Sequence, residues 1–274
     1  VLSEPRYLTA AERAADFILR NMQQQVGEEW RLLRSHRAGK SQLMAYADDY
    51  AFFIEALTTL YETTGNLRWL AEAERLMDIC VAHYWDRESG DGSGALFFTA
   101  DDHEQLIVRS KLATDNAIPS ANPVMAMNLM RLRLLLGRNE LHRPAAEILS
   151  TFARKAAQQP FAHERLLSAM EMFHATMSEE ANAFVEIAVI GPASGVPEAE
   201  KTHELIRVVH GTYRPNKVVA LLDPRWPNAD KVGSAVPLLA GRNMVDGQPT
   251  AYVCRNYACQ TPVTDARALA QQLA

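Results

Sequence analysis

Cysteine is scarce in this sequence: Cys80, Cys254 and Cys259 are the only three among 274 residues. So small and odd a number excludes a disulfide-dense scaffold and suits a reducing compartment. No long basic run occurs, and the net charge is −5, which argues against a nucleic-acid surface. Long apolar runs are missing too. The stretch around residues 132–136 is interrupted and flanked by Arg131, Arg133 and Arg138, so no membrane span is expected. No charged-then-apolar leader opens the chain. A cytoplasmic protein without nucleic-acid or membrane partners is the expectation. Apolar side chains are plentiful, at 48%, enough for one sizeable core or two modest ones.

The first two-thirds reads as helices. Residues 5–22 carry Leu8, Ala11, Ala15, Ile18 and Leu19 at helical spacing, with Pro5 suited to a first turn. Residues 46–64 repeat the pattern, and Gly65 and Asn66 then stop one helix and cap the next, at 67–84. That pair predicts an antiparallel hairpin. Residues 86–99 contain Gly90, Gly92 and Gly94 before Leu96 and Phe97, a turn leading to a short extended piece. Asn122-Pro123 predicts the start of a helix running to Leu136 and stopping at Gly137. It is apolar over most of its surface, so a central position is expected. Two more helices follow, at 141–157 and 162–177, which makes six before any strand. At Ala183 the texture changes. Residues 184–192 read as a buried strand and turn, 198–210 as a helix, 216–222 and 250–254 as strands, and 264–273 as a closing helix. Strand–helix–strand order predicts a right-handed parallel unit. The chain is expected to divide near residues 178–182, into a helical-hairpin region (1–180) and a small parallel-sheet α/β domain (181–274).

Carboxylates mark two places. Asp48 and Asp49 open a helix, where free N–H groups and the positive dipole end favour them. Capping is the plainer reading. The chemical one is an acid or base held at the mouth of the helical hairpins. Adjacent residues diverge by about 100° on a helix, so the two-carboxylate chemistry of glycoside cleavage would need a partner from elsewhere. Asp115 is the natural partner. Arg109 and Lys111 lie close in sequence and would lower its pKa if they approach it. Ser120 and Asn122 could present hydroxyl, amide and N–H groups to a sugar or carboxylate. The plainer reading is a hydrogen-bonded loop joining two hairpins.

His36, Arg37 and Lys40 form a basic loop that suits an acidic group or simply solvent. His36, His83 and His103 are base candidates by residue type alone. Cys254 and Cys259 lack the companion ligands of a zinc site and the two-residue spacing of a thioredoxin motif, so a packing role is expected, with a redox pair as the alternative. Cys80 is expected in the core. Residues 190–195 match neither a dinucleotide fingerprint nor a Walker loop. No cofactor and no metal are expected.

Several stretches carry a resemblance in order along nearly the whole chain. They are His36-Arg37-Ala38-Gly39-Lys40, Tyr46-Ala47-Asp48-Asp49-Tyr50-Ala51-Phe52, Leu60-Tyr61-Glu62-Thr63-Thr64-Gly65, Arg109-Ser110-Lys111, the run from Asp115 to Asn122, and Ala251-Tyr252-Val253-Cys254 with Cys259 and Pro262. Together they resemble the C-terminal portion of the YyaL-like proteins, also called the spermatogenesis-associated thioredoxin-like family. The resemblance implies an N-terminal thioredoxin-like domain absent from this chain, and an α/α toroid similar to six-hairpin glycosidases and N-acylglucosamine 2-epimerases. Opening on Val1 agrees with chain missing upstream.

The expected class is therefore mainly α with a C-terminal α/β part, a partial α/α toroid followed by a small parallel-sheet domain. The expected function is carbohydrate binding or processing. Asp48, Asp49 and Asp115 would be catalytic, and Tyr46, Tyr50, Arg109, Lys111, Ser120, Asn122, His36 and Lys40 would bind a sugar ligand. The alternative is a non-catalytic scaffold working with a thioredoxin-like domain or partner protein. Half a toroid exposes an apolar flank, so self-association, or association with the missing N-terminal half, is also expected.

Overall fold

The computed structural model describes residues 4–88, 94–104, 107–178, 184–255 and 258–274. It is mainly helical with a small mixed sheet in its C-terminal part, the class expected from the sequence.

Helix α1 (Pro5–Asn21) has its proline in the first turn. Three strands then follow: β1 (Gln23–Val26), β2 (Glu29–Arg37) and β3 (Lys40–Met44), an antiparallel sheet in the order β1-β2-β3. This corrects the expectation of six helices before the first strand. It also corrects the basic loop: His36 and Arg37 end β2 and Lys40 opens β3. The turn between them is Ala38-Gly39, with φ of 51° and 76°, the mirror-image turn whose twist suits a hairpin.

Helices α2 (Ala47–Thr64) and α3 (Leu67–Tyr84) form the expected hairpin. Gly65 takes the left-handed conformation with φ 69° and donates to the Tyr61 carbonyl at 2.7 Å. Asn66 caps α3 by accepting from Arg68 N–H at 3.1 Å. Beyond α3, Trp85 pairs with Leu96 as an isolated antiparallel bridge. The turn expected at Gly90 and Gly92 lies outside the described residues.

Helix α4 (Ala121–Leu136) has Ser120, not Asn122, at its N-cap, and Gly137 in the left-handed conformation at its end. Asn122 sits inside the first turn because its side chain is engaged elsewhere. No residue of α4 is exposed, as its apolar surface predicted. It packs against α2, α5 (His142–Gln158) and α6 (Glu164–Met177).

In the C-terminal part, β4 (Val185–Ile190), α7 (Glu198–Gly211) and β5 (Lys217–Leu222) form the expected parallel unit. The third expected strand, β6 (Thr250–Arg255), runs antiparallel to β4, and β7 (Ala258–Cys259) pairs antiparallel with β6. The sheet order is β5-β4-β6-β7, so it is mixed rather than parallel. The connection from β5 runs through a short helix, α8 (Ala229–Ala235), not foreseen from the sequence, and brings the chain back in the opposite direction. Helix α9 (Ala266–Gln272) follows. Most of the expected boundary at residues 178–182 lies outside the described residues.

The strand period of two explains the unbroken apolar runs. Val185, Ile187, Val189, Val219 and Leu221 pack with Leu205 and Val209 of α7 and Leu269 of α9. Ala188, Ile190, Val218, Ala220 and Leu222 point the other way and join the core of the helices. Both sheet faces are thereby buried. The hairpin stop at Gly65 lies close against β5. A Cβ there would lie 2.6 Å from the Trp226 ring and 2.9 Å from the Leu221 carbonyl oxygen. Gly65→Ala should cost about 3 kcal/mol, from the left-handed backbone and the overpacking together. A lower urea midpoint at unchanged slope would register it.

Candidate functional site

The start of α2 is built from three pieces of chain. Asp49 reaches back to accept the Tyr46 N–H at 2.8 Å, and Asp48 accepts the Asp49 N–H at 3.0 Å. Arg34, projecting from β2, donates to Asp49 at 2.8 Å and Asp48 at 3.3 Å. Its guanidinium also lies over the Tyr46 ring, 4.7 Å from the centroid, and Phe98 stacks on Tyr46 at 4.7 Å. Burial, the largest influence, raises the Asp49 pKa. The charge of Asp48 adds to it, while the Tyr46 N–H and Arg34 oppose it.

Beneath this lies an ionic network that sequence reading missed. The Arg31 side chain is 1% exposed and holds Asp102 with two bonds of 2.7 and 3.1 Å. Such a buried cation requires a paired, hydrogen-bonded anion. Tyr50 is fully buried, and its hydroxyl accepts the Leu32 N–H at 3.0 Å. Tyr84 donates to the Ala45 carbonyl at 2.6 Å. His83 bonds Asp101 at 2.9 Å and Glu29 at 2.8 Å through its two ring nitrogens. His83, Asp101 and Asp102 bring donor atoms within 4.8 Å of one another, a spacing a metal could use. With Asp102 clasped by Arg31 and both nitrogens of His83 engaged, the group serves as a hydrogen-bonded network. His103 stands between the rings of Tyr46 and Tyr84, at 5.7 and 6.1 Å, and its Nε2 is buried without a hydrogen-bond partner.

The loop before α4 places the remaining predicted residues, and it brings Ser120 to Asp115 but not Arg109, Lys111 or Asn122. One Asp115 oxygen accepts the Ser120 N–H at 3.0 Å, and the other accepts the Arg165 N–H at 2.8 Å at the start of α6. Arg109 instead donates to the Thr99 carbonyl at 2.7 Å and lies 4.2 Å over the Phe97 ring. Lys111 pairs with Asp86. Asn122 is 1% exposed; it accepts the Leu96 N–H at 2.8 Å and donates to the carbonyls of Leu96 and Leu112 at 3.0 and 2.8 Å. It completes the main-chain bonding of a segment whose own pairing is the isolated bridge between Trp85 and Leu96. His36 bonds Ser41 at 2.8 Å and meets the edge of Phe17, and Lys40 is exposed at the hairpin turn.

A cleft of about 160 Å³ opens elsewhere, between α4 and the small sheet. Arg133, Glu186, Arg242, Cys254 and Cys259 are among its lining residues. The two cysteines are joined by a disulfide, which corrects their expected role as packing thiols. They are cross-strand partners on the antiparallel pair β6–β7. Comparing their spacing with zinc and thioredoxin templates could not reveal that pairing.

The fold and these clusters define a helical-hairpin protein with an attached small mixed α/β sheet. Human and mouse spermatogenesis-associated protein 20 are each 30% identical to it, over 97% and 80% of this chain respectively. An uncharacterized Caenorhabditis elegans protein is 25% identical over 95% of the chain. The chain belongs to the spermatogenesis-associated protein 20 family. It spans about a third of the length of these curated relatives, 32% of the human protein. No family model matches it.

His103 offers a check on the buried network. Burial is the main influence pulling its pKa below the ordinary 6.5, Arg31 and Arg109 act in the same direction, and Asp102 and Asp101 oppose them. The folded state thus favours the neutral ring. Its contribution to stability is full above 6.5 and is lost as pH falls through the lower folded-state value. An NMR titration of the ring should give a midpoint below 6.5. A midpoint above it would mean that the acidic neighbours dominate.

Proposed function

We propose that this chain is a non-catalytic scaffold: a helical arc, part of a toroid, that works with a thioredoxin-like domain or a partner protein in the cytoplasm. The observation that carries the reading is the use made of Asp115. Its two oxygens accept main-chain N–H groups at the starts of α4 and α6. A carboxylate so engaged is a strut between two helix ends. Arg109, Lys111, Ser120 and Asn122 are likewise engaged with backbone or with ion-pair partners. Exposed Tyr7, Trp30 and Leu43, on α1 and the antiparallel sheet, provide apolar surface for association with a partner or a second copy.

The second reading is carbohydrate binding or processing at the start of α2. It is favoured by Asp49, a carboxyl whose pKa burial raises, which suits a general acid whose basic partner would come from elsewhere. Asp115 would then support the site from a distance.

A thermal-shift screen against neutral, amino and acidic sugars separates the two. The scaffold reading predicts no sugar-induced shift, and an Asp115→Asn variant less stable by about 1–3 kcal/mol. A sugar that raises the melting temperature of the wild type, but not of Asp49→Asn, would overturn it in favour of the carbohydrate reading.

A further inference from the structure

Glu186 on β4, Cys254 on β6 and Cys259 on β7 are successive register partners across the sheet. Laterally paired residues project from the same face, so the three form a row along one wall of the cleft. Cys254 is 2% exposed, whereas Cys259 lies on an exposed strand. Arg242 crosses the row. Its Nη2 is 3.1 Å from the Cys254 Sγ and 2.9 Å from the Cys259 Sγ. Arg242 is substantially desolvated there, and burial is the main influence lowering its pKa. A disulfide sulfur is uncharged and a weak acceptor, so it repays the Nη2 of this half-buried guanidinium poorly, whereas Nη1 donates to the Leu238 carbonyl. A thiolate, a full anion, would repay it well.

We propose that Cys254 and Cys259 form a thiol–disulfide exchange site for a small thiol, with Arg242 stabilising the thiolate released when the bond opens. The incoming thiolate attacks the exposed Cys259 Sγ and forms a mixed disulfide. The S–S bond to Cys254 breaks, and its electron pair leaves on the Cys254 Sγ beside Arg242. A second thiol then attacks the sulfur of the small molecule and releases Cys259 as a thiolate. In total, two thiols become one disulfide, and two electrons and two protons pass to the protein. Glu186, the cross-strand partner of Cys254, lies on the same wall, and burial raises its pKa against the pull of Arg242 and Arg133. This proposal is independent of the scaffold reading, because neither cysteine belongs to the Asp115 loop or to the start of α2.

The test is to expose the folded chain to millimolar reduced glutathione, quench with acid, and count labelled thiols by mass spectrometry. Both cysteines should open while the circular dichroism and the melting transition remain native. Arg242→Gln should open about tenfold more slowly, and Arg242→Lys should keep part of the wild-type rate. In reduced wild-type protein, the thiolate absorbance that Cys254→Ser removes should titrate below the ordinary thiol value of about 8.5. A disulfide that stays closed until denaturant is added would overturn the proposal and make it a structural staple. So would an Arg242→Gln variant that opens at the wild-type rate, or a Cys254 thiolate midpoint at or above the ordinary value.

Discussion

Helix α4 has no exposed residue, and a helix so enclosed must find most of the partners for its polar groups and ends within the protein. Much of the polar inventory of this chain meets that demand. Asp115 holds the N-cap residue Ser120, Asn122 binds the main chain of Leu96 and Leu112, and Gly137 ends the helix in the left-handed conformation. Within the helix, Asn128 donates to the Ala51 carbonyl of α2 at 2.7 Å, and Arg131 pairs with Glu62 at 2.8 Å.

The same bonds tie the layers together. Glu62 also accepts the Val219 N–H of β5 at 3.4 Å, so one carboxylate joins α2, α4 and the sheet. Asp115 joins the starts of α4 and α6. Arg31 and Asp102 join β2 to the segment after α3. Buried pairs of this kind add little net stability relative to apolar packing, yet removing one partner leaves an uncompensated charge. Their effect is to fix how the hairpins meet. A polar residue in a recurrent motif can therefore be indispensable without touching a substrate.

The helices were legible because their cores are local patterns. The 3.6-residue spacing of α1 to α6 and the stops at Gly65 and Gly137 lie within a few residues of one another. Strands β1 to β3 were hidden because β1 and β3 are largely polar and bury almost nothing, leaving no period-two apolar signal. The direction of β6 depends on pairing with a strand some sixty residues earlier, which no local pattern encodes. For the site, the residue types were legible and their partners were not. Asp115 was paired in expectation with its sequence neighbours Arg109 and Lys111, but its second partner is the amide of Arg165, fifty residues away. Asn122 had the composition of a cap, and its bonds to Leu96 depend on the packing of a distant segment. Cys254 and Cys259 were within reach: a five-residue separation suits cross-strand pairing.

Amide hydrogen exchange at Ser120 and Arg165 tests most directly whether the Asp115 loop is the fitting that allows α4 to be buried. Both amides should be protected in the wild type, and both should lose protection in Asp115→Asn while the α2–α3 hairpin stays protected. Equal, rapid exchange of the two amides in wild type and variant would mean that the carboxylate is not committed to them, and would contradict the account.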